Sequence, residues 1–260
     1  MIKKFDNFLL ENKMWGKTIP ELLNWLKDKS DKYWVFTDTE TTGLPSDPYE
    51  IQLTQVSGLA VTYNSSINEF EEHGYFDKKI KLTSKTKELL KTPTKIRKVL
   101  SFNHYGNKAA TYYEEAEILE EFHSFLTEWD NPILVIQNAP FDMRFLNTRH
   151  PNLKFNNEVI DTKDIIQLYY LPALQKLSET EKWAQDLVIK IGTSDRDNGL
   201  ISSSLSKIGP ALGLNMTGYH DALTDCRLAM EMLQKIVEFL QDHQDIDIKK
   251  YQAERIKTKK

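Results

Sequence analysis

A single cysteine, Cys226, leaves the chain without an internal disulfide and without a multi-cysteine zinc site. No apolar run approaches the ~20 residues that a membrane-spanning helix needs. The opening residues, MIKKFDNFLLENK, also lack the long apolar core of a signal peptide. These absences predict a cytoplasmic protein with no membrane partner. There is no internal repeat and no low-complexity tract, so no array of repeats is expected. A surplus of positive charge is missing as well: the net charge is −4, which does not by itself mark a nucleic-acid binder.

What is present is uneven. Residues 78 to 98 carry nine Lys or Arg against one Glu, and the last dozen residues are again basic. Any contact with an anionic polymer is expected there. The 260 residues, 40% hydrophobic and 28% charged, suffice for one medium domain with a sizeable core.

The pattern divides into an N-terminal helical extension (1–30), a main domain (31–242) with a basic insertion at about 78–113, and a polar, basic C-terminal tail (243–260) read as a disordered arm. In the extension, amphipathic pieces occur around Phe5 to Leu10 and Pro20 to Leu26, the second starting at Thr18. Trp34, Val35 and Phe36 predict a buried strand, and two further strands, over 51–63 and 71–82, make an antiparallel meander of three. Apolar spacing predicts a helix over 114–129 and a buried strand at 133–136. Asn138 reads as the N-cap of the next helix, with Pro140 in its first turn. A strand ending at Asp161 runs into a helix bent or broken at Pro172, and 192–199 reads as a loop. A long helix follows with an apolar stripe from Ala222 to Leu240. Strands in a meander and then alternating with helices predict an α/β fold, a mixed central sheet of antiparallel and parallel strands flanked by helices.

Three clusters carry the chemistry. Asp38 and Glu40 alternate onto one face of a core strand, which delivers two carboxylates side by side. D-x-E alone also suits an Asx-turn. Like charges that close are kept ionised by a divalent cation, and hard oxygen ligands suit Mg²⁺ or Mn²⁺. Asp225 lies within the apolar stripe of the long helix, where a buried carboxylate needs a partner. His220, five residues upstream, would stand ~140° away around a helix axis, so it reaches Asp225 only from a preceding loop.

Together FTDTETTG (36–43), QNAPFDMRFL (137–146) and HDALTD (220–225) resemble, in order, the three motifs of DnaQ-like 3′→5′ exonucleases of the DEDDh branch. The resemblance runs over residues 33 to 240 and implies a ribonuclease H-like fold. It implies that Asp38, Glu40, Asp142 and Asp225 hold two divalent cations, Mg²⁺ or Mn²⁺, with Asp38 bridging them, and that His220 is the general base. Thr39, Thr41, Leu44, Asn138 and Phe141 are implied to contact the substrate, Thr41 and Leu44 beside the terminal nucleotide. The expected activity is hydrolysis at the 3′ end of single-stranded nucleic acid, DNA ahead of RNA, releasing nucleoside 5′-monophosphates. An exoribonuclease of ribonuclease T or oligoribonuclease type, and a proofreading or binding subunit attached to a polymerase or another replication or repair partner, stay open. Gln137 stands where His or Gly often occurs in the family. Asp161 reads as a helix N-cap, and Phe102, Tyr105, Tyr112 and Tyr113 are candidates for stacking on bases.

Overall fold

The computed structural model describes residues 16–44, 50–90, 95–103, 105–106 and 111–258. The amphipathic piece from Phe5 to Leu10 lies outside them, as does the side chain of Phe102. Helix α1 (Ile19–Lys27) opens on Thr18, which forms a capping box with Glu21. Ile19, Leu22 and Leu26 recur at helical spacing and are buried. At about 1.5–3 kcal/mol for each such side chain, burial rather than helix propensity holds this short helix in place.

Strands β1 (Tyr33–Thr41), β2 (Leu53–Asn64) and β3 (Glu69–Ile80) form the expected antiparallel meander. Helices α2 (Ser84–Leu89) and α3 (Lys95–Phe102) and the two-residue strand β4 (Tyr112–Tyr113) occupy the basic insertion. Helix α4 (Glu115–Thr127) leads to β5 (Ile133–Ile136), α5 (Ala139–Thr148) and β6 (Val159–Asp161). The six described strands lie in the order β4-β3-β2-β1-β5-β6, with β5 parallel to both β1 and β6. β1 is therefore central, and its end is the natural place to deliver side chains into a crevice.

Alternation along β1 splits the core. Trp34 and Phe36 pack with β2 residues Leu59 and Val61 on one face, whereas Val35 packs with Ala60, Phe122 and Leu134 on the other. Gly58 in β2 is required by close packing: a Cβ there would lie 2.9 Å from Phe122.

After β6 come α6 (Thr162–Ile165), a π-helical turn (Ile166–Tyr170) and α7 (Leu171–Leu177). The irregularity precedes Pro172 rather than falling on it. Pro172 has no N–H to donate one turn back, and the Leu171 N–H instead bonds the Ile166 carbonyl. Helices α8 (Lys182–Ile191) and α9 (Leu205–Ala211) flank the 192–204 loop, and α10 (Ala222–Asp242) supplies the long apolar stripe.

The polar tail departs from expectation. Residues Lys249–Thr258 form helix α11, which packs on α7 and the π turn, with Gln252 and Arg255 buried. Among the described residues, no helix is long and apolar enough to cross a membrane.

Candidate active site

The three motifs meet in one cleft of about 280 Å³. Asp38 and Glu40, near the end of β1, share a face as alternation requires, and both line it. The β1–β2 register shifts at Glu40/Thr41, which ends regular pairing beside the site. Asp142 enters from the first turn of α5. It is 2% exposed, and its Oδ1 accepts from Thr39 N at 2.9 Å and from Thr39 Oγ1 at 2.7 Å. Thr39, between the two β1 acids in sequence, thus fixes the third carboxylate.

Asp225 comes from the first turn of α10, which is N-capped by Asp221. Its Oδ1 accepts from the backbone N–H of His220 at 3.2 Å. His220 lies in the turn before the helix, as its five-residue spacing requires, and holds φ +72°, a left-handed conformation uncommon outside glycine. Its ring stands 4.0 Å from that of Tyr219. One ligand atom each from Glu40, His220 and Asp225 lie within 4.8 Å of one another.

Concentrating these acids raises their pKa values. Burial, followed by repulsion from Asp142 and Glu40, pushes Asp38 well above the usual carboxylate range. Burial and then Asp225 raise Glu40 to about 9, with Lys79 pulling the other way. Asp142 and Asp225 rise to about 7, chiefly by burial; the Thr39 bonds and the His220 N–H oppose it. Four crowded carboxylates with so little positive charge beside them fit hard divalent cations, which supply the missing charge and accept oxygen ligands.

Behind the acids, a polar row joins α10 to the meander. Gln55 Nε2 donates to Asp77 at 2.7 Å and to Asp221 at 3.2 Å, and Ser57 Oγ donates to Asp77 at 2.7 Å.

The substrate-contact expectations divide. Thr39, Asn138 and Phe141 line the cleft. Thr41 and Leu44 are not among its lining residues: the Thr41 hydroxyl is bonded to the Gly43 carbonyl at 2.7 Å, and Leu44 is an exposed side chain. Asn138 begins α5, but with left-handed backbone and no cap bond from its side chain, which instead accepts from Lys163 Nζ at 3.0 Å. Asp161 takes over that cap: it accepts from Asn138 N and Ala139 N, and also from Lys163 N at its own helix start. Tyr105 donates to the Ile80 carbonyl, Tyr112 packs on Tyr105, and Lys78 lies over the Tyr113 ring. None of these three tyrosines lines the cleft.

Motif reading missed Lys163, Ser194, Asp197, Ser203, Ser204 and Tyr219, all of which line the cleft. Only the Tyr219–His220 adjacency was available as a signal. The serines belong to a loop whose position depends on distant tethers.

Taken together, the mixed six-stranded sheet and its flanking helices form a fold shared with solved nuclease structures. No protein-family model matches the chain. Over 232 residues, 86% of its length, it is 25% identical to the DNA polymerase III PolC-type of Staphylococcus haemolyticus (strain JCSC1435), of which it spans 13%. Among solved structures it resembles the zinc-ion-bound E. coli ExoI–ssDNA complex, with a TM-score of 0.56 and 19% identity, over 82% of this chain and 42% of that one. It also resembles the nuclease domain of 3′hExo, a DEDDh family member, bound to rAMP: TM-score 0.52, 13% identity, over 83% of this chain and 95% of that one. At these identities the structural likeness establishes the fold.

Proposed function

We propose that the chain is a divalent-metal-dependent 3′→5′ exonuclease that hydrolyses single-stranded ends, DNA in preference to RNA, and releases nucleoside 5′-monophosphates. The observation that carries this reading is the convergence of Asp38, Glu40, Asp142, His220 and Asp225 on one cleft. Each side chain has a role that phosphodiester hydrolysis needs. Asp38, Glu40, Asp142 and Asp225 would hold two cations, Mg²⁺ or Mn²⁺, whose chemistry when bound is to acidify the attacking water and stabilise charge on the phosphate and leaving oxygen. His220 takes the proton from that water. Thr39 keeps Asp142 oriented through its two hydrogen bonds. Phe141, at the cleft rim of α5, offers a ring for the terminal base.

Digestion of 5′-labelled single-stranded DNA and RNA of matched sequence, with Mg²⁺, Mn²⁺ or EDTA, tests this directly. A ladder shortening from the 3′ end, dependent on metal and absent in Asp38→Ala, is the expected result. Intact substrates under every condition would refute it, and faster loss of the RNA would move the substrate to the exoribonuclease type.

Similarity to a PolC-type polymerase favours a second reading, in which the exonuclease serves a polymerase as its proofreading part. Its test must spare α1, because Ile19, Leu22 and Leu26 belong to the main core. Removal of residues 1–15 should abolish co-purification with the polymerase while leaving digestion intact; persistence of the complex would place docking elsewhere.

A further inference from the structure

Apart from one hydrogen bond from Gln137 of the second motif, the serine-rich lining of the cleft is held from outside the three motifs. Between α8 and α9 the chain folds back on itself: Thr193 bridges Ile201, Ser194 N donates to the Leu200 carbonyl at 3.0 Å, and Ser202 N donates to the Gly192 carbonyl at 2.9 Å. Gly192 and Gly199, at φ +72° and +78°, permit the reversal. Asp197 turns into this loop. Its Oδ2 accepts from Ser203 N at 3.1 Å, and its Oδ1 accepts from Ser203 Oγ at 2.8 Å and from Gln167 Nε2 at 2.9 Å. Gln167 sits on the π turn, the element against which α11 packs.

Helix α11 then reaches the loop directly. Arg255 is 3% exposed and its Nη2 donates to the Ile201 carbonyl at 3.2 Å. Burial lowers its pKa to about 10, with the Asp197 charge acting against that, so the guanidinium stays charged. Gln252, one turn earlier, donates to the Lys17 carbonyl at 3.1 Å and fixes the helix at its other side. A buried arginine that ends on a loop carbonyl, within the field of an interior aspartate, would be a costly way to stabilise a surface tail. That carbonyl and that aspartate both belong to the segment that presents Ser194, Ser203 and Ser204 to the cleft.

A cleft crowded with carboxylates repels a polyanion until cations are bound, and Lys163 is the only lysine or arginine lining it among the described residues. Uncharged donors, hydroxyls and backbone N–H groups, are suited to grip phosphate and sugar there, provided they are held in place. We propose that Arg255 is a positioning residue for the nucleic-acid strand: it fixes the 192–204 loop so that Ser194 and Ser204 contact the sugar-phosphate chain of the substrate. The inference rests on the exonuclease reading, and it assigns substrate grip to a segment that none of the motifs contains.

The test uses the full chain and two readouts. Steady-state cleavage of a labelled single-stranded oligonucleotide gives kcat and KM. Anisotropy of the same oligonucleotide with Ca²⁺ in place of the catalytic cation gives Kd without cleavage. Loss of one or two neutral hydrogen bonds corresponds to a change of about three- to tenfold. Arg255→Gln should raise KM and Kd by that factor or more with kcat within about twofold, and Arg255→Lys should recover most of the loss. Because Arg255→Gln removes a buried charge and can impair folding, Ser204→Ala, at a partly exposed residue whose hydroxyl bonds to those of Ser202 and Ser206, is the second variant, with the same direction expected. Wild-type KM and Kd in Ser204→Ala, or an Arg255→Gln protein that folds and binds as wild type does, overturns the proposal. If the wild-type chain binds the oligonucleotide without cutting it, the exonuclease reading fails while the Kd ratios still decide the role of Arg255. Absence of both binding and cleavage in the wild type overturns the two together.

Discussion

The acidic and serine-rich linings of the cleft differ in what holds them. Each carboxylate sits on regular structure, in β1 or in the first turn of α5 or α10, and two of them bond to the motifs themselves, Asp142 to Thr39 and Asp225 to the His220 N–H. The serines sit on a loop and depend on Gln137, Gln167 and Arg255, which come from three other parts of the chain. Chemistry that needs charges within a few ångströms is placed on rigid elements, and grip on a polymer is left to a braced loop. The acidic side should therefore respond to change in rate and the serine side in affinity.

The largest break is expected at His220. As proton acceptor, its replacement by Gln should lower kcat by about 10²–10⁴-fold with little change in KM. Its proximity to Glu40 and Asp225 offers the competing role of metal ligand. Titration of activity against cation concentration separates the two: full rescue by excess metal would make His220 a ligand and remove it as the base.

Next in size is a pH effect on the metal-free protein. Glu40 at about 9 and Asp142 and Asp225 at about 7 lie above the ordinary carboxylate values of the unfolded chain. Carboxyl groups raised on folding contribute stability at low pH that is lost as pH rises through the folded values. Without divalent cation, Tm should therefore fall between pH 6 and 9. A cation at about 100 times its Kd should restore ~2.7 kcal/mol, or roughly 5–10 °C for a chain of this size. Asp225→Asn should flatten the fall and raise the metal-free Tm at pH 8 while abolishing cleavage. A Tm that stays level from pH 6 to 9 in EDTA would contradict the repulsion on which the metal assignment depends.

Much of the acidic side was legible because its determinants are local. Alternation put Asp38 and Glu40 on one face, the apolar stripe enclosed Asp225, and five-residue spacing forced His220 into a turn. The serine side was not legible because α11 hides its periodicity. Ile248, just before it, and its inward positions Gln252 and Arg255 follow helical spacing, but the two within the helix are polar and bond to distant carbonyls. A hydrophobic pattern cannot register burial of that kind. The start of α5 was read correctly in position, with Asn138 at the N-cap and Pro140 in the first turn, but not in its bonding. Asn138 is a good cap by residue type, but Asp161, from the adjacent strand β6, reaches the free N–H groups first and leaves Asn138 to hold Lys163.

A smaller effect on the acidic side is expected from Thr39→Val, which keeps the shape and the backbone bond to Asp142 but removes the hydroxyl bond of 2.7 Å. Metal ligands that lose an orienting partner typically lose about 10–100-fold in metal affinity or activity. The variant should need more cation for half-maximal rate and approach wild-type kcat when saturated. A lowered kcat at saturating cation would instead mean that Thr39 touches the substrate.

The smallest effect should come from Gln137, where the two linings meet. It leaves the end of β5 one residue before Asn138, its Nε2 donates to the Ser203 carbonyl at 3.2 Å, and its Oε1 accepts from the Thr162 hydroxyl. It thereby ties the serine lining to the strand that carries the second motif. Gln137→Leu keeps the volume and cuts this tie while the Gln167 and Arg255 tethers remain. One neutral hydrogen bond corresponds to about a threefold change, which should appear in KM and not in kcat. Combined with Arg255→Gln the loss should exceed the product of the two single effects, because two remaining tethers can hold a loop that one cannot. Simple multiplication of the two effects would mean that each tether acts alone, and that the loop is not one braced unit.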